Sequence, residues 1–103
     1  MTTYAGIIVQ GSSVVEGNKV TVSVAFYVDR EGYPEYIVEL LRNLAKDCRS
    51  VWELIGKLYI ELWDSEMLIL NPPEWEMYEY IVDFDNNKIS WKEDEKTITV
   101  PLK

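Results

Sequence analysis

An α+β fold is what the sequence predicts: an antiparallel sheet of about five strands, in the order β-β-α-β-β-β, with one long amphipathic helix on one face. Three observations carry that expectation. Val20, Val22, Val24, Phe26 and Val28 alternate with Thr21, Ser23, Ala25 and Tyr27, the period-two pattern of a strand with one buried face. Between Pro34 and Asp64 the apolar residues instead recur every three to four positions, the period of a helix. After Asn71-Pro72-Pro73, strand-like runs separated by turn residues return to the end of the chain.

The elements follow in order. Tyr4–Gln10 is a short β-rich run, and with the strand Lys19–Asp29 it forms a hairpin with a long connection through GSSVVEGNK. Arg30-Glu31-Gly32-Tyr33 ends the alternation, and Pro34 suits a first helical turn, where its missing N–H costs nothing.

The segment 34–64 is the most informative. At about 100° per residue, Ile37, Leu40, Leu41, Leu44, Ala45, Cys48, Val51, Trp52, Ile55, Leu58, Tyr59, Leu62 and Trp63 fall within an arc of about 140°. Arg49, Glu53, Lys57 and Glu61 form a charged ladder on the other side, where only Tyr36, Leu54 and Ile60 are out of place. Ser50-Val51-Trp52-Glu53 has the form of a capping box and would start a second helix at Val51. A new helix should reset the stripe, and no reset is visible. One continuous helix, bent near Ser50, is therefore the favoured reading, with two helices as its alternative. A helix of about 30 residues is about 45 Å long and would overhang the sheet of a compact domain of this size.

Met67–Leu70 is too short to assign, and periodicity leaves Glu74–Met77 open between a helical turn and an extended lead-in. Tyr78–Phe84 reads as a strand, Asp85-Asn86-Asn87 as a turn, Ile89 and Trp91 as a strand, and Lys92–Lys96 as a charged turn. Thr97–Leu102 closes the chain as a strand that Pro101 would place at a sheet edge.

The 103 residues fit one domain. Cys48 is the only cysteine, so an internal disulfide is excluded, and its place on the apolar stripe makes it core filler. The first basic residue is Lys19, and the uncharged run Met1–Val15 is too short and too interrupted to span a bilayer, which together predict a cytoplasmic protein. The net charge is −8. Residues 64–95 account for all of it, with Asp64, Glu66, Glu74, Glu76, Glu79, Asp83, Asp85, Glu93, Asp94 and Glu95 against Lys88 and Lys92. Such a surface repels phosphate backbones and anionic lipid, so nucleic acid and membranes are not expected partners.

The chain contains no histidine, which removes Ser-His and Cys-His nucleophiles and typical zinc sites. Its five glycines fit neither phosphate-binding spacing. Asp83-Phe84-Asp85-Asn86-Asn87 resembles the start of a calcium loop only until Lys88 takes the place of the required glycine. Asp94-Glu95-Lys96 has an acid-x-lysine form but reads as a solvated turn. No catalytic residue, cofactor or metal is predicted.

The aromatic residues point to function. Trp52, Tyr59 and Trp63 share one edge of the helical stripe, with Ala45 and Gly56 as small neighbours, and Trp and Tyr are the residues that anchor protein interfaces. Core packing against the sheet is the plainer explanation of the same residues. Trp75 and Met77 extend the candidate interface toward an acidic patch of Glu74, Glu76, Glu79, Asp83 and Asp85. The expectation is a non-enzymatic interaction protein that forms a homodimer through Trp52, Gly56, Tyr59, Trp63 and Trp75. The alternatives are an acidic inhibitor or nucleic-acid mimic that binds a basic protein, and a carboxylate-based enzyme or small-ligand binder using acids such as Glu79 and Asp83.

Overall fold

The computed structural model describes residues 3–103, so Met1 and Thr2 of the uncharged amino-terminal run lie outside the described residues. Strands β1 (Ala5–Val15) and β2 (Asn18–Val28) lead into helices α1 (Pro34–Ala45) and α2 (Val51–Asp64). Strands β3 (Leu68–Ile69), β4 (Tyr78–Asp83), β5 (Lys88–Glu93) and β6 (Lys96–Pro101) follow. The six strands form one mixed sheet in the order β3-β2-β1-β4-β5-β6.

The α+β class agrees with the sequence, and three details differ. The hairpin connection is short: β1 and β2 pair along all of Ala5–Val15 and Asn18–Val28, and only Glu16 and Gly17 intervene. Both take positive φ, 51° and 82°, as a two-residue hairpin turn with the native twist demands. Second, the sheet has six strands and is mixed, because β1 and β4 run parallel with Ile7 opposite Tyr80 and Val9 opposite Val82. The chain travels from β2 through both helices and β3 before β4 joins the free side of β1.

Third, the long helix is two helices. The Ser50 hydroxyl oxygen accepts the backbone N–H of Glu53 at 3.2 Å, and the Glu53 carboxylate accepts the N–H of Arg49 at 3.4 Å. The capping motif is thus in use, and the link 46–50 is closed at its other side by Cys48 N–H donating to Ala45 O. The overhang inferred from a 45 Å rod disappears, since helices of 12 and 14 residues reach only about 20 Å each.

One cluster of buried apolar residues joins both helices to one face of the sheet, with Ile7, Val9, Val22, Phe26, Tyr80, Val82 and Ile89 from the strands. Helix α2 lies over β1, β2 and β3. Its first turn comes so close to β1 that a Cβ on Gly11 would stand 3.0 Å from the Val51 side chain. Tyr80 is fully buried and its hydroxyl donates to Gly32 O over 2.6 Å, which ties β4 to the segment that enters α1. Lys103 Nζ donates to Cys48 O, so the carboxy terminus holds the link between the helices. No helix among the described residues is long and apolar enough to cross a membrane.

Candidate functional site

The break at Ser50 decides which side chains of α2 reach the surface. In α1 the buried positions are Ile37, Leu41 and Ala45; in α2 they are Val51, Leu54, Leu58 and Leu62. At about 100° per residue the centre of the buried set turns by roughly 90° between the two helices. The stripe is therefore reset, and Leu54, out of place in a continuous helix, becomes a core residue. Trp52, Tyr59 and Trp63, which continue the buried direction of α1, are rotated outward. Their exposures are 51%, 47% and 60%, and Ile60 beside them is at 59%.

These residues form an uncharged face along the length of α2. The Tyr59 and Trp63 rings lie 6.1 Å apart at 36°. The Trp52 indole N–H donates to Ser13 Oγ over 2.7 Å, which anchors that ring beside the tip of the β1-β2 hairpin, where Val14 and Val15 are also exposed. Between the rings Gly56 is open: a Cβ placed there would meet nothing within 4 Å. Ala45, expected to flank the rings, is fully buried on α1. Trp63, Asp64, Glu66 and Leu68 line a shallow depression of about 500 Å³ at the other end of α2.

Trp75 is grouped elsewhere. Its ring meets Tyr4 edge-on at 6.3 Å, and it lines a depression with Ile69 and Pro73. Ile69 stands opposite Tyr27, which alternates with the buried Phe26 and Val28 and so points to the sheet face away from α1 and α2. The structure thus gathers Trp52, Gly56, Tyr59 and Trp63 on one surface and leaves Trp75 to the opposite face of the sheet.

The acidic residues divide in a similar way. Asp83 accepts the N–H of Asn86 at 3.2 Å and its side-chain amide at 2.8 Å, closing the β4-β5 turn. Asp85 accepts the Ser12 N–H at 3.2 Å and the Ser12 hydroxyl at 2.6 Å, and these bonds hold its carboxyl below the usual carboxylate range. Glu74 lines the depression beside Trp75. Glu76 folds over Gly6, where an added Cβ would come within 2.8 Å of its carboxylate. Burial, the charge of Glu79 and a hydrogen bond with Glu79 push its carboxyl upward.

Glu79 also borders a cleft. The pairing of β4 with β5 runs only from Ile81–Ser90 to Asp83–Lys88, so the first three residues of β4 and the last three of β5 extend beyond it. Tyr80 and Trp91, both buried, have ring centroids 5.8 Å apart in this region. The gap is a hollow of about 430 Å³ lined by Met77, Tyr78, Glu79, Ile81, Ser90, Trp91, Lys92 and Thr97. One carboxylate, Glu79, one amine, Lys92, and the hydroxyls of Ser90 and Thr97 border it, and among the described residues no three acids or thiols gather as a metal-ligand set. Sequence reasoning missed this cleft because strand divergence leaves no periodic signature.

Comparison with family models, with curated proteins and with solved structures finds no match to this chain.

Proposed function

We propose that the protein is a non-enzymatic interaction module that self-associates through the aromatic face of α2. One observation carries the reading: Trp52, Tyr59 and Trp63 stand about half or more exposed in a row that bears no charge and that nothing else among the described residues covers. Aromatic side chains of that size supply most of the energy of protein interfaces when a partner desolvates them. A second copy is the occupant this surface suits best. A basic partner would be drawn to the acids, but the charged ladder Glu53, Lys57 and Glu61 lies to one side of the aromatic row, Asp83 closes its own turn and Asp85 is bonded to Ser12 of β1.

Sedimentation velocity from about 1 to 100 μM tests this. A concentration-dependent shift from monomer to dimer that Trp63→Ala abolishes is expected; a monomer throughout that range would refute it. Each subunit carries −8, so added salt should tighten the dimer by screening repulsion, whereas it would weaken attachment to a basic protein.

The cleft beside Glu79 favours a second reading, a small-ligand binder. Its volume lies within the range of small-molecule sites, and Lys92 and Glu79 could orient a ligand that carries both an acidic and a basic group. Saturable chemical-shift changes confined to Met77, Ile81 and Lys92 on titration with free amino acids would support that reading, and their absence would remove it.

A further inference from the structure

Resting on the self-association just proposed, we infer that two α2 helices pair antiparallel about a two-fold axis between Lys57 and Leu58, with Trp52 of each copy against Trp63 of the other. The spacing of the exposed stripe leads to this pairing. Trp52, Gly56, Tyr59 and Trp63 are separated by four, three and four residues, which reads the same in both directions. A surface that docks on its own copy about a two-fold axis must be complementary to itself under reversal of the helix. Reversal about the point between Lys57 and Leu58 exchanges Trp52 with Trp63 and Gly56 with Tyr59. Each Tyr59 ring then faces the open position at Gly56, where no atom stands within 4 Å of a Cβ. A parallel pair would set Tyr59 against Tyr59 and leave both gaps at Gly56 empty.

The surroundings fit the same arrangement. Trp52 is bonded to Ser13, and Val15, two residues further along β1, shares the face of Ser13 and is 47% exposed. Trp63 borders the hollow that contains Leu68. Antiparallel pairing brings the hairpin tip of one copy to the Leu68 end of the other, so Val15 meets Trp63 and Leu68 at each end of the stripe. The charged ladder borders the stripe beyond Ile60, and Asp64 and Glu66 line the hollow with Trp63 and Leu68, so these charges form the rim of the contact. Six half-exposed rings offer on the order of 600 Å². Stable complexes bury about 1,200 Å² or more, so Val15, Ile60 and Leu68 have to contribute and a dissociation constant in the micromolar range is expected.

Cysteine pairing distinguishes the arrangement from self-association as such. Chains carrying Trp52→Cys and chains carrying Trp63→Cys are mixed, and diamide is added as the oxidant. In the mixed pair the two new thiols face each other while the second Trp63–Trp52 contact survives. Cys48 is buried and serves as the unreactive background in unsubstituted protein. Cross-linked dimer should form at least fivefold faster in the mixture than in either variant alone. Faster cross-linking of each variant with itself, or a mixture no faster than the separate chains, overturns the antiparallel pairing. A wild-type chain that sediments as a monomer overturns self-association as well. Gly56→Gln provides a test that keeps every ring: the dissociation constant should rise at least tenfold with no fall in the unfolding midpoint, and an unchanged dissociation constant overturns the docking of Tyr59 on Gly56.

Discussion

The hydroxyl oxygen of Ser50 lies 3.2 Å from the backbone nitrogen of Glu53, and this one bond starts α2 and sets which of its side chains face water. Replacing Ser50 with Ala leaves one of the first N–H groups of α2 without its partner and should cost about 1 kcal/mol in urea unfolding. Gly in the same place should cost only a few tenths of a kcal/mol. A Ser50→Ala protein as stable as the wild type would show that the cap does not hold the break.

The tyrosine hydroxyl at position 80 has no route to water. Tyr80→Phe leaves the carbonyl of Gly32 without its 2.6 Å donor and should lower stability by about 1–3 kcal/mol in chemical denaturation. An unchanged unfolding midpoint would mean that another donor reaches Gly32.

What the sequence disclosed and what it concealed have physical reasons. Val20 to Val28 was legible because one face of β2 is buried and the other is not. Tyr78 to Asp83 was legible for the same reason. The far half of β1 was not: Gly11, Ser12 and Ser13 look like a turn, yet Gly11 is small because Val51 lies on it and Ser12 holds Asp85. Nothing local encodes the parallel pairing of β1 with β4, which depends on where two helices and β3 deliver the chain. At Ser50 the local signal was right and the global one misled. A five-residue link can rotate a helix without disturbing the three-to-four spacing of apolar residues, so Trp52 and Leu54 exchanged faces unnoticed. Trp52, Gly56, Tyr59 and Trp63 were legible as a group, while Trp75, distant from them in sequence, depended on sheet topology.

Glu76 should make stability depend on pH in a defined direction. Its native carboxyl sits above the ordinary value of 4.5, through burial first and Glu79 second, so the native state holds its proton longer than the unfolded chain does. Below that value both states are protonated and no penalty exists. As pH rises through it the unfolded state ionises first, and stability is lost until the native group ionises too. Glu76→Gln removes that loss. The difference in stability between variant and wild type, from urea midpoints between pH 4 and 8, should grow with pH in favour of Gln; a difference constant with pH would contradict the placement of Glu76 over Gly6.

Gly56 weakens α2 as an isolated element, since glycine in a helix interior costs about 1 kcal/mol relative to alanine. A Cβ there meets open space, so Gly56→Ala should raise subunit stability by up to about 1 kcal/mol in dilute solution, where the monomer prevails. A loss of stability in the monomer would show that the position is covered from within.

Fluorine resonances of 5-fluorotryptophan protein report on all four indoles separately. Dilution from about 200 to 2 μM should shift the signals of Trp52 and Trp63 and leave those of Trp75 and Trp91 in place. Spectra that do not change with concentration, or a shift confined to Trp75, would contradict the claim that the outward face of α2 is where the protein meets its second copy.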